Sequence, residues 1–147
     1  MPSSMRVVTS PAVPEPPPGL FSNCIVVGNE IHVSGQHAGT PHGAVGGASM
    51  LEQAREAFRR VLALIEAGGG SADDVVKMTI YVCDMARRAE VSAARREVFV
   101  DPLPCSTLVG VSSLAGPDLL VEVEAIALIG TGGRRAAVRP APPNAII

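Results

Sequence analysis

Aromatic side chains are scarce in this chain: they make up 3% of its 147 residues, with no Trp and one Tyr. That is poor equipment for stacking nucleobases or for a ring-lined cofactor cradle, and it leaves the core to Val, Leu, Ile and Ala. Neither charge is in surplus. The net charge is -2 and the pI about 5.9, which gives no electrostatic pull toward nucleic acid or an acidic membrane. There are three cysteines, Cys24, Cys83 and Cys105. An odd number without a local CxxC speaks against a disulfide framework and a zinc knuckle, and for a reducing cytoplasm as the expected location. No segment is apolar for long enough to span a bilayer. Pro11, Pro14, Pro16, Pro17 and Pro18 stand where a secretion signal would need an apolar run, so none is expected. His32, His37 and His42 are scattered without HxH or HExxH spacing, and no metal is expected.

What is present suits one domain over residues 1–147, with a Pro-rich N-terminal segment at 1–20 and an extended tail at 130–147. A compact chain of this size buries about 68–70% of its unfolded surface and needs no staple to hold a core. Strands are expected at Met5–Thr9, Phe21–Val27 and Glu30–Val33, the last two joined by a turn at Gly28-Asn29. Gly39–Gly47 reads as a flexible loop, since its glycines match no phosphate-cradle spacing. Ser49 with Glu52 three residues on predicts a capping box. In the helix that follows, Leu51, Ala54, Phe58, Val61, Leu62 and Ile65 form an apolar stripe, and Gln53, Glu56, Arg59, Arg60 and Glu66 fill the other side. Gly68-Gly69-Gly70 stops it, and a second capping box opens at Ser71. Further on come a strand at Val75–Val82, a helix at Ala86–Val100 broken by Asp101-Pro102, and strands at Ser106–Val111 and Leu119–Ile129.

This order is an α+β pattern, with two helices on one face of a mixed sheet. The other face carries Leu120, Glu122, Glu124, Ile126 and Leu128 and has no helix left to cover it, which implies a partner, most simply further copies of the same chain. Glu122 and Glu124 lie two apart on one strand, so both carboxylates point the same way into apolar company. A carboxylate so placed needs a partner or a task.

Three pieces in this order carry a resemblance: Ser34-Gly35-Gln36; EQAREAFRRVLALIEAGGGSADDVVKMTIYVCDM from Glu52 to Met85; and LVEVEAIA from Leu120 to Ala127. From Met5 to Ile129 the sequence resembles the RidA/YjgF-like imine/enamine deaminase family. The resemblance implies a chorismate-mutase-like α+β protomer and a homotrimer whose sheets face inward as a barrel, with ligand clefts between subunits. It also implies hydrolysis of reactive 2-imino and enamine acids, a metabolite-damage role, without metal or organic cofactor. The family's water-holding acid falls on Glu122, its pocket Tyr on Phe21 and a polar Asn on Ser92. Backbone groups near Gly35 and Leu108 complete the implied site. The Arg that clamps the substrate carboxylate in the family falls on Ser106, where a hydroxyl, with Thr107 beside it, replaces a fork of charged donors. The chain is therefore expected to be a divergent member that prefers a neutral or differently shaped ligand.

Glu124 is expected to make an intersubunit ion pair or hydrogen bond. Cys105, beside Ser106, is expected to line the cleft as an inert small residue; its rival role, a nucleophile served by His37, needs a nearby base. Cys24 and Cys83 read as core fillers and His32 as a packed or satisfied core residue. Arg87, Arg88, Arg95 and Arg96 read as a solvated helix face beside Asp84, Glu90 and Glu97 rather than a nucleic-acid patch. Three functions compete: imine or enamine hydrolysis, a non-catalytic metabolite-binding trimer, and, most weakly, a ribonuclease.

Overall fold

The computed structural model describes residues 4–132. Along them run strands β1 (Met5–Val8), β2 (Cys24–Val27), β3 (Glu30–His37), β4 (Gly39–Thr40) and β5 (Gly43–Ala44). Helix α1 (Met50–Ala67), strand β6 (Val75–Val82), helix α2 (Arg88–Val98) and strands β7 (Cys105–Gly110) and β8 (Val121–Leu128) follow. Six strands form one sheet in the order β1-β2-β3-β8-β6-β7, antiparallel except for the parallel pair β6 and β7. This is the mixed-sheet α+β protomer expected from the sequence. Helix α1 packs over β3 and β8, and α2 packs against α1.

Period-two burial shows which face the helices cover. In β8, Val121, Val123, Ala125 and Ala127 are buried under the helices, while Glu122, Glu124, Ile126 and Leu128 are half-buried on the open face. Phe58 of α1 meets Phe99 just past α2 edge to face, at 6.0 Å between ring centroids, and ties the helices together. Gly28 takes a φ of +61° in the two-residue turn between β2 and β3, a conformation open to glycine.

Several boundaries differ from expectation. Strand β3 continues through Ser34, Gly35 and Gln36 to His37, with a register shift between Val33 and Gln36. Strand β2 begins only at Cys24, so Phe21 sits outside the sheet. The supposed loop at 39–47 contains the small hairpin β4–β5, fastened when Ala44 N–H donates to Asp118 at 2.8 Å. Helix α1 has half of its capping box: Ser49 Oγ accepts from Glu52 N–H at 3.2 Å, but the Glu52 carboxylate turns to Arg55. The box at Ser71 is complete, closed through Asp74. Most of the expected tail at 130–147 lies outside the described residues.

Gln53 and Arg60 correct the division of α1 into apolar and polar sides, because both are buried. Gln53 Nε2 donates to the Gly47 and Asp118 carbonyls, and its Oε1 accepts from Leu120 N–H at 2.9 Å. Arg60 donates to Glu56 Oε1 at 2.8 Å and to the Gly39 carbonyl at 3.0 Å. Each side chain satisfies loop backbone that crosses the helix, and that stabilises its burial.

Candidate functional site

Glu122 stands on the open face of β8 between His37 of β3 and Tyr81 of β6. Its cross-strand neighbours are therefore polar, which corrects the expectation of purely apolar company. Gly35 makes room for it: a Cβ there would overlap Oε1 and fall 2.8 Å from Cδ. Among the described residues no hydrogen bond or ion pair engages the Glu122 carboxylate, so its lone pairs are open to water or ligand. Glu124 differs. Tyr81 Oη donates to Glu124 Oε1 at 2.8 Å, so it has a partner within its own chain. The bond to Glu124, with some burial, holds the Tyr81 phenol above its usual pKa.

Beside Gly35 lies a cavity of about 200 Å³ whose lining includes Phe21, Gly35, His37 and Arg60 under Pro14–Pro17. Asn23 donates to the Pro14 carbonyl at 2.8 Å and receives a hydrogen bond from Gln36, which pins the Pro-rich segment over this space. Phe21 is exposed at its rim. His37 Nδ1 accepts from Gly39 N–H at 3.0 Å, so that nitrogen is occupied by its own loop.

The remaining expected residues gather elsewhere. On edge strand β7, Cys105 and Thr107 pair with Lys77 and Thr79 on the open face, while Ser106 and Leu108 pair with Met78 and Ile80 toward the helices. Ser106 meets α2 there: Arg95 Nη1 donates to Ser106 Oγ at 2.8 Å, and Arg95 Nη2 lies 3.5 Å from Ser92 Oγ. Ser92 and Ser106, singled out separately, are thus joined by one guanidinium. Burial, and secondarily Arg96, lower the Arg95 pKa. This corrects the reading of the α2 arginines as a uniform solvated face: Arg87 pairs with Glu90 and Arg88 caps the Met85 carbonyl, but Arg95 turns onto β7. The three-residue step from Ser92 to Arg95 was a visible signal that both share one side of the helix.

Cys105 is exposed on β7, far in the sheet order from His37 on β3, so the thiol and the imidazole do not form a pair within the chain. Cys24 is buried, and desolvation pushes its thiol up to about 11, as suits a core filler. Cys83 is only half-buried, with its thiol against the Leu119 carbonyl. His32 is not in the core either; it lies on the open face 2.9 Å from Glu30. Among the described residues no group of three His, Cys, Asp or Glu side chains has metal-holding geometry, and no helix is long and apolar enough to cross a membrane.

The family model described as Endoribonuclease L-PSP matches residues 13–129. The chain belongs to this family, the RidA/YjgF family. A relative from Dermatophagoides farinae named 2-iminobutanoate/2-iminopropanoate deaminase is 31% identical over 130 residues, covering 86% of this chain and 98% of that one. The crystal structure of PA3499 from Pseudomonas aeruginosa superposes with a TM-score of 0.79 at 33% identity, over 87% of this chain and 94% of that one. Escherichia coli TdcF with bound serine superposes with a TM-score of 0.74 at 27% identity, over 84% and 98%.

Proposed function

We propose that this protein hydrolyses a small imine or enamine to a carbonyl compound and ammonia, in a cleft between subunits of a homotrimer. The observation that carries this reading is the Glu122 carboxylate standing over Gly35, unpaired among the described residues, in a chain with an imine deaminase among its relatives. Glu122 accepts a proton from water as the water oxygen adds to the imine carbon. Glu122 returns that proton to the nitrogen to give the carbinolamine, whose hydroxyl proton then passes, again through Glu122, to the nitrogen, so that ammonia leaves and C=N has been exchanged for C=O. Phe21 packs the ligand at the rim, and backbone donors of edge strand β7 with Thr107 polarise it. Ser106, in the place of the family's strand-borne guanidinium, supports a ligand shape different from that of the small imino acids. The open face of β8 and the unpaired edge of β7 support assembly with further copies.

The decisive experiment measures ammonia released from 2-iminobutanoate by purified protein and by its Glu122→Gln variant. Acceleration over the spontaneous rate, reduced about 10²–10⁴-fold in the variant, is expected. If the spontaneous rate is unchanged across a panel of imines, the reaction is wrong. Ligand-induced thermal stabilisation without turnover would then favour a binding trimer, and cleavage of a generic RNA at physiological salt would favour a nuclease.

A further inference from the structure

Each other buried or half-buried guanidinium on or next to the two helices has a carboxylate: Arg60 has Glu56, and Arg87, just before α2, has Glu90. Arg95 is half-buried on α2 and has none among the described residues. Its polar contacts are two hydroxyls, Ser106 Oγ at 2.8 Å and Ser92 Oγ at 3.5 Å. A partly desolvated cation held by neutral acceptors has its charge uncompensated, and the low polarity around it strengthens attraction for any anion that arrives. Desolvation, and secondarily Arg96, penalise its charged form, and an incoming anion would offset that penalty.

We propose that Arg95 is the anion anchor of this protein's ligand site, holding a carboxylate on the helix side of β7 with Ser106 as its second contact; this rests on the cleft proposed above. The hydroxyl geometry fits the task. Ser106 Oγ accepts from Arg95 Nη1, which leaves the Ser106 hydroxyl proton free to donate to a ligand oxygen beside the guanidinium. Ser92, one helical step before Arg95, steadies the other arm of the fork. Ser106 then completes a charged pair of contacts borne by two elements instead of marking a lost charge. The ligand class narrows accordingly to small molecules with a carboxylate, received from the helix rather than from the strand. A guanidinium seated there reaches a carboxylate at a different position and angle, which fits a different ligand shape without a neutral ligand.

Isothermal titration with 2-oxobutanoate and with its neutral isostere 2-oxobutanamide tests this without requiring turnover. The wild-type protein should bind the carboxylate and prefer it to the amide. Arg95→Gln should weaken carboxylate binding about 10- to 100-fold and leave the amide within about twofold, since charge-assisted hydrogen bonds carry that much. Arg95→Lys, which keeps the charge and loses the fork, should retain part of the preference. Ser106→Ala should cost several-fold. Should Arg95→Gln fail to fold, the lysine variant decides. A residue that merely staples α2 to β7 would alter stability but not discrimination between carboxylate and amide. Equal binding of both compounds by wild type, binding of neither, or unchanged carboxylate affinity in the arginine variants overturns the anchor. Charge-selective binding with no turnover of 2-iminobutanoate overturns only the proposed reaction. Turnover with an unaltered KM in Arg95→Gln overturns only the anchor.

Discussion

Gly35→Ala separates position from stability at the candidate site. The new Cβ falls 2.8 Å from Glu122 Cδ and nearer still to Oε1. Comfortable carbon–carbon contact lies at about 3.5–4.0 Å, so the carboxyl group must withdraw by about 1 Å. Little opposes that withdrawal, because Glu122 is half-buried and nothing among the described residues binds its carboxylate. Moving it off its rotamer costs about 0.5–1.5 kcal/mol. Gly35 does not have a positive φ, so alanine is compatible with the backbone there and contributes about 0.4–1 kcal/mol through the unfolded state. These terms nearly cancel, and urea denaturation should show a change within about 1 kcal/mol. Catalysis depends on geometry more steeply: a displacement of about 1 Å costs about 10²-fold. The assay is release of 2-oxobutanoate from 2-iminobutanoate above the spontaneous rate, with kcat and KM resolved. A loss of about 10²-fold in kcat with near-native stability is expected. Full activity in Gly35→Ala would refute the claim that Glu122 acts from its seat over this glycine. A stability loss above about 3 kcal/mol would refute the claim that the carboxylate is free to move.

Gln53→Leu should destabilise the fold by about 2–4 kcal/mol in urea denaturation, because it leaves Leu120 N–H and the Gly47 and Asp118 carbonyls without their buried partner; a change below about 1 kcal/mol would show that these groups find water. The single tyrosine permits an unambiguous ultraviolet titration: its midpoint should lie above the usual value near 10, and Glu124→Gln should lower it. The sign follows from the hydrogen bond, which requires the protonated phenol, so its contribution is full below the unfolded pKa and disappears as pH rises through the folded one. An unchanged midpoint in Glu124→Gln would deny the coupling.

The sheet, its helices and its open face were legible because burial follows periods of 2 and 3.6 that any apolar pattern displays; Val75–Val82 was read to the residue. Glu122 was legible as a carboxylate on the uncovered face of its strand, and Gly35 as belonging near it only through the family pattern. Gln53 and Arg60 were not legible as buried residues. Helical spacing sorts residues by hydropathy, whereas these two are buried to satisfy backbone groups of loops distant in sequence. Arg95 was misread for a related reason. Its neighbours Arg87, Arg88 and Arg96 and the nearby acids look like ordinary solvated charge, and only the pairing of β7 with β6 shows that Ser106 faces the helix. The Tyr81 partner of Glu124 was not legible either, because the two residues, 43 positions apart, become neighbours only after β6 and β8 pair.

The two halves of the proposed site cannot serve one ligand within a single protomer, and the sheet register shows why. Glu122 pairs with Tyr81 and Ser106 with Met78, three residues apart along β6, which is about 10 Å of strand. β6 also separates their strands, adding about 10 Å sideways. More restrictive still, Glu122 projects from the open face and Ser106 from the helix side, so the sheet itself stands between the carboxylate and the Arg95 guanidinium. A small imine spans only a few ångströms. Water activation by Glu122 and anion capture by Arg95 can therefore act on one molecule only if the β7 edge of one copy is brought to the open face of another. The described part of the chain leaves both that face and that edge uncovered, and an assembly that joined them would complete the site.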